Sequence, residues 1–129
     1  MSVPLPPVLV VDDEKNMRLI LQTMLGDEGY AVRAVESAEQ GLKLLEHEAC
    51  FMVITDARLG GMSGYDFLAK VRAQWPDLPV LMFTGWGENI LEHFARDAHP
   101  DAIVAKPIVQ RDLLSAVADV LRRAMPAAS

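Results

Sequence analysis

A doubly wound α/β domain built on a five-stranded parallel sheet is the fold that the sequence predicts, on three observations. Runs of strand length alternate with segments of helical periodicity five times along the 129 residues, and the connections between them are short. Four of the runs are nearly continuously apolar, as strands covered on both faces must be. Each of these four stops abruptly at a polar group: Val8 to Val11 at Asp12-Asp13, Phe51 to Thr55 at Asp56, Val80 to Phe83 at Thr84, and Ala102 to Ala105 at Lys106.

Residues 1–7 hold Pro4, Pro6 and Pro7, which cannot donate to a ladder, and read as a flexible extension before the domain at 8–124. Met17, Ile20, Leu21, Met24 and Leu25 recur at the spacing of one helix face, with Gly26 or Gly29 as the stop. Tyr30 to Val35 alternates as a second strand, and Ser37-Ala38-Glu39-Gln40 has the capping-box pattern of a helix reaching to about Glu48. Cys50 is expected as a small buried side chain at the entry to the Asp56 strand. A third helix from Gly64 turns Phe67, Leu68, Val71 and Trp75 inward until Pro76 and Pro79 stop it. Leu91, Phe94, Ala95 and Ala98 suggest a shorter, less apolar fourth helix, and Leu113, Val117, Val120 and Ala124 a final one. Residues 125–129 are a tail or the start of a linker.

One domain of this size can bury a core without staples. A net charge of −6 and a pI near 4.9 argue against direct binding to nucleic acid, because no basic face is present to neutralise phosphates. A lone cysteine, no signal peptide and no long apolar segment give a cytoplasmic chain with no membrane contact.

In a doubly wound sheet, ligands bind beyond the carboxyl ends of the strands, so Asp12, Asp13, Asp56, Thr84 and Lys106 are expected in one pocket. Three crowded carboxylates repel one another unless a cation sits among them, and all-oxygen donors suit Mg²⁺. His47, His93 and His99 have no ligand spacing, which argues against zinc. A pocket with a divalent cation, an ammonium and a hydroxyl suits a phosphoryl group, and the central carboxylate, Asp56, is the residue placed to accept it.

Asp12-Asp13, Asp56, Gly64, Thr84 and Lys106-Pro107, in this order and with this alternation between them, resemble the receiver domain of two-component response regulators over about Val8 to Ala124. The resemblance implies a flavodoxin-like (βα)5 fold with strand order 2-1-3-4-5. It implies that Asp56 takes a phosphoryl group from a phosphohistidine of a sensor histidine kinase or phosphotransfer protein, the domain assisting its own phosphorylation and slow dephosphorylation without acting as an enzyme on a small substrate. Asp13, Asp56 and the backbone carbonyl of Arg58 would ligate Mg²⁺, with Asp12 acting mostly through water. Lys106 would pair with the acidic cluster and then with the phosphoryl oxygens, Thr84 and Gly85 would take part in the switch, and Lys106-Pro107 would be a cis peptide. A downstream effector domain or protein would read the switched surface, transcription being one output, and phosphorylation can favour association of two copies. No effector domain follows Ala124, so the chain is expected to be a stand-alone regulator or a fragment of a longer one.

Three residues depart from the family pattern. Gly60 stands where proline is usual, giving a more pliant loop; Ile103 stands where the family has an aromatic switch residue; and Trp86 is large for its place beside the site. Arg58 and Trp86 are candidates for tuning water access to a phosphoryl group, and Ile103 for a switch position that changes rotamer little, the Gly85 to Glu88 loop and the fourth helix moving instead. A pseudo-receiver that keeps the fold only as an interaction or dimerisation module ranks behind, because Asp13, Asp56, Thr84 and Lys106 are all present. A dinucleotide-binding oxidoreductase lacks the Gly-rich turn after its first strand, and an aspartyl phosphatase would need its second acid two residues beyond the first, whereas Asp12 and Asp13 are adjacent.

Overall fold

The computed structural model describes residues 6–85 and 99–124, and the fourth helix read around Leu91 to Ala98 lies outside them. The chain runs β1 (Val8–Val11), α1 (Lys15–Asp27), β2 (Val32–Val35), α2 (Ala38–His47), β3 (Met52–Asp56), α3 (Gly64–Gln74), β4 (Val80–Thr84), β5 (Ala102–Ala105) and α4 (Gln110–Ala124). All the strands are parallel and lie in the order β2-β1-β3-β4-β5. The sheet is thus the five-stranded, doubly wound one that the sequence implies.

Successive side chains of a strand point to opposite faces, so the apolar strands feed two cores at once. Val8, Val10, Met52, Ile54, Leu81 and Phe83 pack with Leu21 and Leu25 of α1 and Leu113, Val117 and Val120 of α4. Leu9, Val11, Val53, Val80 and Met82 pack on the other side with Ala38 and Leu45 of α2 and Phe67, Leu68 and Val71 of α3.

The helices begin and end where local chemistry dictates. Ser37 Oγ accepts the N–H of Gln40, and Gln40 Oε1 accepts that of Glu36. Ser63 Oγ accepts the N–H of Asp66 at the start of α3. The first helix runs through Gly26 and stops before Gly29, whose φ of +92° is open to glycine at little cost. At the far end of the sheet Arg72 ties α3 to the entries of β4 and β5, donating to the carbonyls of Leu78 and His99 and pairing with Asp101 at 2.8 Å.

Two expectations about side chains fail. Ile20 does not face the core: it and Leu19 are 43% and 51% exposed, because the buried stripe of α1 is narrower than the apolar periodicity and is carried by Leu21 and Leu25. Cys50 is only half-buried, since it precedes β3 rather than standing in it, and that partial burial raises its thiol pKa to about 11.

Candidate functional site

Strand register places the functional side chains before any of them interacts. Val11 is in register with Thr55, so Asp12 and Asp56 leave neighbouring strands side by side. Asp56 is opposite Phe83, which puts Thr84 one step further on, and Thr84 is opposite Ala105, which puts Lys106 one step beyond that. Residues spread over most of the chain therefore meet at the carboxyl edge of the sheet, where β1 and β3, adjacent in the sheet, send their crossovers to opposite faces.

Asp56 is 5% exposed and both of its carboxylate oxygens are engaged. Lys106 Nζ donates to Oδ2 at 2.6 Å, and the backbone N–H of Arg58 donates to Oδ1 at 3.0 Å. The ammonium also lies 5.4 Å from the ring centroid of Phe83, the residue opposite Asp56 in the ladder. The backbone is held beside it: Lys106 N donates to the Thr84 carbonyl at 2.8 Å, and Lys106-Pro107 is cis. Thr84 itself is buried, Gly85 is half-buried at the edge of the described residues, and Trp86 lies outside them.

Gly64 closes the floor of the site. Its N–H donates to the Ala57 carbonyl at 3.0 Å, and a Cβ built there would collide with the carbonyl oxygen of Asp56 and lie 2.8 Å from Ala57 Cα. Only glycine lets α3 start this close to the end of β3.

The acidic pair divides. Asp12 is 1% exposed; its Oδ1 accepts the N–H of Glu14 at 2.8 Å, and its backbone carbonyl accepts from Arg18 Nη1 at 2.8 Å. Its Oδ2 is buried with no protein partner. Burial, reinforced by the charges of Asp56 and Asp13 and opposed by the Glu14 N–H and Lys106, lifts its pKa from 3.8 to about 6. Asp13 is exposed and accepts the N–H of Gly60 at 3.2 Å.

These groups fit a divalent cation. An orphaned buried carboxylate oxygen is costly unless something positive meets it, and here it lies beside two further carboxylates. Among the described residues no three His, Cys, Asp or Glu side chains converge closely enough to cage an ion alone. Carboxylates that do not cage an ion by themselves suit a hard ion that retains part of its hydration. Of the histidines, His47 and His99 are exposed and His93 lies outside the described residues.

Sequence reasoning did not find the Arg18 clamp on the Asp12 carbonyl, the Phe83 ring under Lys106, or the Gly60 donor to Asp13. The first could have been sought, since Arg18 falls on the helix that Asp12 leads into; a backbone donor leaves no mark on a sequence.

A parallel sheet whose carboxyl edge gathers a buried acid, a central aspartate paired with lysine and a cis proline defines an α/β domain with an acidic pocket. A family model described as the response regulator receiver domain matches residues 8–118, and the chain belongs to that family. It is 38% identical over 113 residues to the response regulator protein FleR of Pseudomonas aeruginosa, covering 86% of this chain and 24% of that protein. It is 31% identical over 120 residues to the transcriptional regulatory protein GlrR of Escherichia coli strain K12, covering 93% of this chain and 27% of that one. The chain thus spans about a quarter of the length of these curated relatives. Among solved structures, a CheY-like receiver domain protein from Methanospirillum hungatei JF-1 superposes with a TM-score of 0.86 at 30% identity, covering 93% of this chain and 96% of that one. The signal receiver domain of an HD domain-containing protein from Pseudomonas fluorescens Pf-5 gives 0.86 at 26% identity, covering 93% and 97%. Receiver domains of this family are phosphoacceptor switches of two-component systems, generally dependent on Mg²⁺. Among the described residues no helix is long and apolar enough to cross a membrane.

Proposed function

We propose that Asp56 accepts a phosphoryl group from a phosphohistidine on a sensor histidine kinase or phosphotransfer protein, and that the resulting change in the pocket is read by an effector domain or protein. The observation that carries this is the buried Asp56 carboxylate, held 2.6 Å from Lys106 and beside a second buried acid with a free oxygen. In the transfer, the P–N bond to the donor imidazole breaks as a P–O bond to Asp56 forms, and the imidazole keeps the electron pair and takes up a proton. Asp56 serves as nucleophile without needing a base, because a carboxylate carries its charge already. Lys106 orients it and then neutralises a phosphoryl oxygen, moving its hydrogen bond by a short distance within the same pocket. Asp12, Asp13, Asp56 and the Arg58 carbonyl would hold Mg²⁺, which supplies neutralisation of the phosphoryl oxygens when bound. Thr84, with Gly85 following it, would turn its hydroxyl to the new group, and Arg58 and Trp86 would tune water access to it.

The donor would approach past Leu19 and Ile20, whose exposure on α1, in a groove shared with Thr23, Met24 and Gln110, is otherwise unexplained. Output would be read where Ile103, 44% exposed, borders a groove with Ser115, Ala116 and Asp119 of α4. A second copy or an effector would seat there, and transcriptional control is the output that relatives such as the transcriptional regulatory protein GlrR suggest.

Acetyl phosphate with Mg²⁺ tests this reading. Intact-mass measurement is expected to show one added phosphoryl group on the wild-type chain and none on Asp56→Asn, whose amide is a poor nucleophile. An unlabelled wild type would leave the pseudo-receiver reading in its place.

A further inference from the structure

The loop after β3 reaches back to the loop after β1 through a backbone donor. The N–H of Gly60 points to Asp13 Oδ2, 3.2 Å away and 47 residues earlier in the chain. On the proposed reading these loops would supply oxygen donors to the cation beside Asp56, Asp13 from one and the Arg58 carbonyl from the other. Asp13 is exposed, and the bond to Gly60 restricts which way its carboxylate faces. The donor itself is anchored in a turn whose next residue, Gly61, has a φ of +80°. The proline usual at this place in the family has no N–H and cannot make the bond.

We infer that the Gly60 N–H is a positioning donor for the divalent-cation site: it occupies one oxygen of Asp13 and leaves the other to meet the cation. The inference rests on the reading of the pocket as a Mg²⁺ site. A hydrogen bond from outside the coordination shell orients a ligating carboxylate and strengthens binding, and at an exposed backbone donor of this length the effect is moderate.

The substitutions that separate donor from shape are available. A Cβ at residue 60 would sit 3.6 Å from Asp13 Oδ2, an ordinary contact, so Gly60→Ala keeps the N–H and does not crowd the acid. Gly60→Pro removes the N–H but stiffens the loop, whereas replacing the Gly60 amide by an ester removes the donor without that stiffening, at the cost of a weaker acceptor at the Leu59 carbonyl. With the full unphosphorylated chain and Mg²⁺ as the sole ligand, titration calorimetry is expected to show the proline and ester variants binding about three- to tenfold more weakly than wild type, and the alanine variant within about twofold of it. Proline and ester variants that bind as tightly as Gly60→Ala would overturn the inference. A readout that does not depend on those variants folding is the Gly60 amide proton in cation-free wild type, which is expected to move upfield in Asp13→Ala; an unmoved resonance would equally overturn it. Failure of wild type to bind Mg²⁺ at all would remove the functional reading as well, whereas binding indifferent to the donor at residue 60 removes this inference alone.

Discussion

Gly64→Ala is expected to destabilise the domain and to disable the site together. The added Cβ meets the Asp56 carbonyl oxygen and Ala57 Cα, atoms of the backbone that cannot swing aside as a side-chain tip would. Relief requires α3 to back away from β3, loosening Phe67, Leu68 and Val71 from the core they share with Val53 and Met82. Overpacking of this kind costs about 1–3 kcal/mol, and backbone targets put the expected loss at the upper end or beyond it. Because the obstructed residue is Asp56, labelling by acetyl phosphate should fall more than the stability loss alone explains. Urea unfolding and intact-mass labelling on one preparation check both; unchanged stability would mean that the close approach of α3 to β3 is not needed.

The second large effect concerns Asp12 and depends on pH. Its pKa rises from 3.8 to about 6 on folding, burial being the main cause. Between these values the folded protein retains a proton that the unfolded chain has released, so stability falls as pH climbs from about 4 to about 6, and the whole penalty is present at pH 7. The difference of about two pKa units corresponds to roughly 3 kcal/mol. Asp12→Asn keeps a side-chain oxygen for the Glu14 N–H but removes the charge. In the absence of divalent cations it is expected to be more stable than wild type by about 1–3 kcal/mol at pH 7 and nearly equal to it at pH 4. Denaturant unfolding at the two pH values with chelator present measures this, and a gain that is the same at both would show that Asp12 is not a strained charge.

The sequence made the fold legible because each element carries its own period and boundary. Ser37 caps α2, Gly29 follows α1, Gly64 opens α3, and the runs beginning at Val8, Met52 and Val80 are apolar until their last residues, leaving no alternating polar face for solvent. The site was legible because the topology places every chemically active group at a strand end, so that spacing in sequence becomes proximity in space. What could not be read there depends on which way a side chain turns. Ile20 fits the apolar period of α1 yet faces outward, since the neighbouring Leu21 and Leu25 already fill the space over β1 and β3. The division of labour within Asp12-Asp13, one buried with an orphaned oxygen and one exposed on a backbone donor, is set by two loops that meet only in the folded chain.

Locating the phosphoryl group bears most directly on the central claim, that the buried carboxylate at the end of β3 is the acceptor. Borohydride reduces an aspartyl phosphate to an alcohol, so wild-type protein treated with acetyl phosphate and Mg²⁺, reduced, digested and sequenced by mass spectrometry should carry the modification at Asp56 alone. Modification at Asp12, at Asp13 or outside the pocket would contradict the account.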